Sequence, residues 1–229
     1  MKNKMFAALT GDLVNSSMLT TGESQMAMRW LREAAMRFAI LYPGSIEGGM
    51  DTFRHDSWQV LLARPSLCLR LALYLRTAIK LHSDKKTRYD TRISIGLGEV
   101  ESIAESRISD SRGKAFTISG KNLDAMARNR LVCQAQDEES IGFSLFSRTA
   151  VPLLDCLVLD WTPTEAHAVH GAIEGRTQEE IAQLLPPNPR TGRAVTRQAV
   201  SDSLERAYWG TVEDVLNFIE NESKLWGLQ

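Results

Sequence analysis

The chain has 229 residues, 43% of them hydrophobic and 24% charged, with a formal net charge of −1. That length suits one large or two small domains, each able to bury a core. The near-zero charge excludes a global pull toward nucleic acid or an anionic membrane, so any such binding needs a local patch. Cys68, Cys133 and Cys156 have neither metal nor redox spacing and are expected to be buried thiols in a reducing cytoplasm. No apolar run reads as a membrane span or a signal peptide, which points away from a membrane.

The first apolar run, Met5 to Leu9, reads as a buried strand that ends near Asp12 and is followed by Leu13, Val14, Asn15, Ser16 and Ser17. Backbone N–H groups after such a strand can face an anion, with a carboxylate beside them for a metal-bound phosphate. An Asx or Ser turn explains the same residues. Apolar positions Ala27, Trp30, Leu31, Ala34, Ala35, Phe38, Leu41 and Tyr42 predict a helix over 23–42. Arg29, Arg32, Glu33 and Arg37 lie largely on its solvated side.

Two strands are expected over 45–50 and 57–62, joined by a turn carrying Asp51, His55 and Asp56. If the second of these strands lies beside the first strand of the chain, Asp12 and Asp56 can share a divalent cation. Pro65 opens a helix to His82, and 91–100 reads as a central strand in which Gly96 and Gly98 mark a close backbone approach or a bend. A polar loop over 102–113 precedes a helix start at Ser119, a possible cap. That helix places Asp124 and Arg128 four apart on one face, where a surface ion pair is the simplest role. A strand over 131–135 and a helix over 143–159 lead to a boundary at Asp160-Trp161. The order implies a sheet with helices on one face.

Beyond Trp161, Thr162-Pro163-Thr164-Glu165 reads as a capped helix start, with His167 and His170 on the helix surface. A short helix over 178–185 and a third over 195–208 follow, separated by a long turn containing Arg190 and Arg193. A last apolar-faced helix spans 211–226.

The first two-thirds of the chain resembles the catalytic domain of class III nucleotidyl cyclases, most closely the cyclase-like domain of the SatD family of bacterial proteins. The resemblance rests on Asp12-Leu13-Val14-Asn15-Ser16-Ser17, on His55-Asp56-Ser57-Trp58-Gln59, on Arg92-Ile93-Ser94-Ile95-Gly96-Leu97-Gly98-Glu99, and on Gly120 to Arg128. It implies Asp12 and Asp56 as ligands of Mg²⁺ or Mn²⁺, with the backbone of Leu13, Val14, Asn15, Ser16 and Ser17 around a nucleoside triphosphate. Arg128 would stabilise phosphoryl charge across a homodimer interface. Asp124 falls where cyclases carry a ribose-positioning Asn, and Thr52 and Thr117 fall at the base-selecting positions, which implies nucleotide binding with little turnover.

The stretch from Gly175 to Ala207 resembles a helix-turn-helix module, in which Thr196, Arg197, Gln198 and Ser201 would meet bases and Arg190 and Arg193 phosphates. A trihelical protein-docking module is the competing reading.

The expected fold class is therefore α+β: a ferredoxin-like, class III cyclase-type sheet with helices on one face over 1–160, then an all-α helix-turn-helix domain over 161–229. The expected function is a cytoplasmic, DNA-binding transcriptional regulator with a metal-dependent nucleotide domain. The alternative is an active nucleotidyl cyclase or nucleotidyltransferase. Expected partners are a nucleoside triphosphate, double-stranded DNA and a second copy of the chain.

Overall fold

Alternation in β1 (Met5–Leu13) decides the architecture, because both of its faces are apolar or small and both become covered. The computed structural model describes residues 4–136, 141–187 and 192–222. β1 lies between two antiparallel partners, β3 (Ser57–Leu62) and β4 (Thr91–Ser102). With β2 (Ile46–Phe53) outside β3, the first four strands run in the order β2-β3-β1-β4, the ferredoxin-like arrangement. β6 (Leu131–Ala135) adds in parallel beside β4, and the two-residue β5 (Arg112–Gly113) pairs with the far end of β4.

One face carries α1 (Thr21–Leu41) and α2 (Cys68–Lys80), whose Leu31, Phe38, Leu71 and Leu75 meet Ala7, Leu9, Val60 and Ile95. A capping box between Thr20 and Glu23 starts α1. The other face is not bare, which corrects the expectation of helices on one side only. There α3 (Lys114–Ala125) lies over Phe6, Ala8 and Leu61 through Ala115. Small side chains make this possible: a Cβ at Gly96 would overlap the Ala115 carbonyl, and one at Gly98 would lie 2.9 Å from the Ala115 nitrogen. The two glycines therefore mark a close approach rather than a bend. Ser119 is consequently no cap; it sits in mid-helix, buried, 2.9 Å from the Thr10 hydroxyl.

All thirteen residues of α2 are buried, including Arg70, Arg76 and Lys80. Its outer side is covered by α4 (Ile141–Asp160), α5 (Pro163–Ile173) and α8 (Trp209–Glu222). Arg76 donates to Asp90 at 2.9 and 2.7 Å and to Asp155 at 2.7 Å. Arg70 donates to Glu220 at 2.6 Å, and the Tyr74 hydroxyl donates to Glu174 at 2.6 Å. His170 stacks on Tyr74 with ring centroids 4.2 Å apart and lies 3.0 Å from the Thr77 hydroxyl, so it is not the surface residue expected from sequence.

Gly142–Asp160 is long and apolar enough to cross a membrane by length and composition, contrary to the sequence expectation, although Asp155 within it is only 4% exposed and bound to Arg76. Cys68 and Cys133 are buried as expected, but Cys156 is exposed.

After Trp161, α5 packs with α6 (Gln178–Leu184) and α7 (Arg197–Arg206) around Ala168, Ile181, Ala182 and Val200. Val169 and Ile173 of α5 meanwhile join the main core, so the three helices share apolar packing with the sheet layer. α8 begins at Trp209; Leu225 and Trp226 of the expected last helix lie outside the described residues.

Candidate functional site

The expected carboxylates meet at one end of the sheet. Register pairs Asp12 with Ser57 on one side and with Arg92 on the other. Asp56 stands one residue before Ser57, and its carbonyl accepts the Leu13 N–H at 2.9 Å. The Ser16 hydroxyl donates to Asp56 Oδ2 at 2.7 Å, so the loop after β1 is tied to the loop before β3. Sequence reasoning missed Arg92 as a site residue. Its guanidinium donates to both oxygens of Asp12, at 2.8 Å from Nε to Oδ1, and also to the Met126 carbonyl at 3.3 Å. The hydrogen bonds with Asp12 raise the Arg92 pKa against partial burial, and the charges of Asp12, Asp124 and Asp56 add to the effect. Only the strand register reveals that Arg92 faces Asp12.

The loop is narrower as an anion cradle than the sequence implied. Leu13 and Val14 spend their N–H groups on the Asp56 and Asp90 carbonyls, and the Leu13 side chain is buried in the core. The N–H groups of Asn15, Ser16 and Ser17 precede the first bond of the 3₁₀ turn, which runs from Met18 N to Asn15 O at 2.9 Å. Asn15 is left-handed, with φ 53°.

Asp124 occupies the last turn of α3, but the helix ends at Ala125 and Met126 is extended. Arg128 therefore lies beyond the helix, exposed, and does not share a helix face with Asp124. It borders a cavity of about 630 Å³ between α3, β6 and α4. Thr52 accepts from Arg32 at 2.8 Å on the face of the sheet covered by α1, whereas Thr117 is on α3 across the sheet, donating to the Gly113 carbonyl at 3.1 Å. The two threonines are not brought together within one chain.

The donor set fits a hard divalent cation in kind. Two carboxylates stand at adjacent strand ends, Asp12 is bound to Arg92, and the charges of Asp56 and Asp124 also act on that guanidinium. Arg92 competes for Asp12, and among the described residues no group of three or more His, Cys, Asp or Glu side chains is gathered to hold a metal ion.

In the helical segment, Thr196 caps α7 by accepting the Ala199 N–H at 3.2 Å, which leaves Arg197 and Gln198 exposed in the first turn. Gln198 donates to Asp202 at 2.7 Å, and Ser201 is half-buried. Arg193 is exposed, and Arg190 lies outside the described residues. Arg206 is held by Glu165 of α5 at 3.0 Å and so braces the bundle.

Two solved structures are similar to part of this chain. An adenylate/guanylate cyclase/hydrolase from Silicibacter pomeroyi is 19% identical over 58% of this chain and 76% of its own, with a TM-score of 0.44. The adenylyl cyclase CyaB from P. aeruginosa is 16% identical over 65% of this chain and 83% of its own, with a TM-score of 0.38. The likeness is one of general architecture and assigns no residue a role. No protein-family model matches the chain, and no curated protein matches its sequence.

Proposed function

We propose that the chain is a DNA-binding regulator of the SatD type whose sheet domain, residues 1–160, binds a nucleoside triphosphate with Mg²⁺ or Mn²⁺. The observation that supports this most strongly is the placement of Asp12, Asp56 and Ser16 at one end of the sheet, where the Asn15–Ser17 loop follows β1. A divalent ion there would be held by Asp12 and Asp56 and would neutralise the phosphates it touches. The N–H groups of Asn15, Ser16 and Ser17 bind phosphate oxygens, and Arg92 holds Asp12 until ligand competes for it. Asp124 adds negative charge beside this site, which disfavours the close packing of a triphosphate needed for turnover. Arg128 is supplied by a second copy of the chain in a homodimer. Residues 161–229 form the helix-turn-helix domain, with Arg197 and Gln198 meeting base edges from the exposed first turn of α7.

Gel shift of genomic fragments, with and without ATP and Mn²⁺, tests the whole reading. Arg197→Ala is expected to weaken specific binding by about 1–3 kcal/mol. Absence of any bound fragment would instead favour the protein-docking reading of the same helices.

A further inference from the structure

A second charged cleft lies away from Asp12, between α1 and the β2–β3 hairpin. It encloses about 550 Å³ and is lined by Arg29, Arg32, Arg54, His55 and Thr52. Arg29 and Arg32 are three apart on α1, so their side chains leave the same face; both are exposed, as are Arg54 and His55 on the facing hairpin. Three nearby carboxylates have hydrogen-bond partners of their own, while Glu33, four residues after Arg29 on α1, is exposed. Asp51 is held by Arg107 and Ser109, Asp56 by Ser16, and Glu23 by Thr20 and Thr87. None of them lines the cleft, and among the described residues neither Arg29 nor Arg54 has a carboxylate partner. Three guanidinium groups thus share one concavity in a chain whose net charge is −1. An anion bound among them would lower their mutual repulsion.

The backbone supplies an independent sign. Arg54 and His55 both take left-handed conformations, with φ 52° and 66°, at the tip of the hairpin. Turns of this kind favour Asn and Gly, because a side chain there is strained. Such strain persists where the surroundings hold it, and it clusters at ligand clamps. Here it fixes Arg54 and His55 against the cleft that Arg29 and Arg32 border from the other side.

We propose that this cleft binds the polyphosphate chain of a small molecule, with Arg29, Arg32 and Arg54 as its ligands. Guanidinium groups form paired, charge-assisted hydrogen bonds to phosphate oxygens, and three of them match the charge of a pyrophosphoryl or triphosphoryl group. The site needs no metal, because the arginines supply the positive charge. It is separate from the Asp12–Asp56 site and does not depend on it.

Calorimetry of the full-length protein in EDTA, titrated with sodium tripolyphosphate and separately with ATP, tests the proposal. Both ligands are expected to bind without metal, and Asp12→Asn to leave that binding unchanged. Arg29→Gln and Arg54→Gln are each expected to weaken it about tenfold, while Arg37→Gln, an α1 residue outside the cleft, leaves it intact. Arg29→Lys, which keeps the charge but loses the fork, is expected to fall between Arg29→Gln and the unmodified chain. Equal affinity for the two ligands would assign recognition to the phosphates alone, and tighter binding of ATP would add a nucleoside contact. Absence of binding by both ligands, or affinities that Arg29→Gln and Arg54→Gln leave within twofold, would overturn it.

Discussion

Two arginines of this chain, Arg76 and Arg92, each grip aspartate, and their surroundings separate structure from function. The Arg76 side chain is 0% exposed, and its two partners, Asp90 and Asp155, are 12% and 4% exposed. Each of the three nitrogens of that guanidinium donates to a carboxylate, and the cluster joins α2, the start of β4 and α4. Arg92 and Asp12 are 29% and 18% exposed, and Asp56 and Asp124 add charge that Arg92 alone does not balance. The first arrangement is saturated and closed. The second is open, over-supplied with negative charge, and bordered by left-handed Asn15. Saturation marks a cluster that holds the fold, while unbalanced charge and strain beside solvent mark one that can take a ligand.

Breaking the closed cluster should have the largest effect. Arg76→Leu leaves Asp155 buried without its counter-charge and Asp90 with Lys80 alone, at 3.7 Å, and denaturant unfolding is expected to show a loss of about 3–5 kcal/mol. A loss below 1 kcal/mol would erase the distinction between the two clusters.

Acid should act next, through the same buried layer. Burial lowers the His170 pKa to about 4, with His167 and Arg176 acting the same way and Glu174 opposing them. An unfolded histidine, near 6.5, takes up its proton first, so stability falls as pH drops from about 6.5 and this contribution is gone by about pH 4. The full effect is about 3 kcal/mol. Glu174 is lowered too: burial opposes the shift, and hydrogen bonds from Tyr74 and Arg176 outweigh it, so its contribution is lost at still lower pH. His170→Phe keeps a ring on Tyr74 and is expected to flatten the slope of melting temperature between pH 6.5 and 4.

Strain at the tip of the β2–β3 hairpin should give a smaller effect of opposite sign. His55→Gly places the one residue without a Cβ at φ 66°, and is expected to stabilise the fold by about 1 kcal/mol. The left-handed backbone at His55 is the conformation that glycine adopts at least cost.

Much of this was legible beforehand, for identifiable reasons. Period-two and helical apolar spacing placed β1, β3, β4, β6, α1 and α2 within a few residues, and the strand order brought Asp12 next to Asp56. What escaped depends on register or on distant partners. Arg92 faces Asp12 only because β4 pairs with β1 in that frame. The burial of Arg70 and Arg76 was not legible, because the carboxylates that cover them lie up to 150 residues away. The helix on the second face of the sheet was hidden because its trough is made of absent side chains, Gly96 and Gly98. Asp124 and Arg128 were joined on one helix because nothing in their local sequence announces the end of α3 at Ala125.

The central claim, that the open end of the sheet is a metal–nucleotide site, is tested most directly by Mn²⁺ binding measured by electron paramagnetic resonance in the presence of ATP. Arg29→Gln/Arg54→Gln protein serves as the background, so that the arginine cleft does not contribute. Bound Mn²⁺ is expected to rise with ATP, to vanish in Asp12→Asn and in Asp56→Asn, and to increase in affinity when Arg92→Leu removes the competitor for Asp12. Mn²⁺ binding that is absent, or that is unaltered by Asp12→Asn and Asp56→Asn, would contradict the claim.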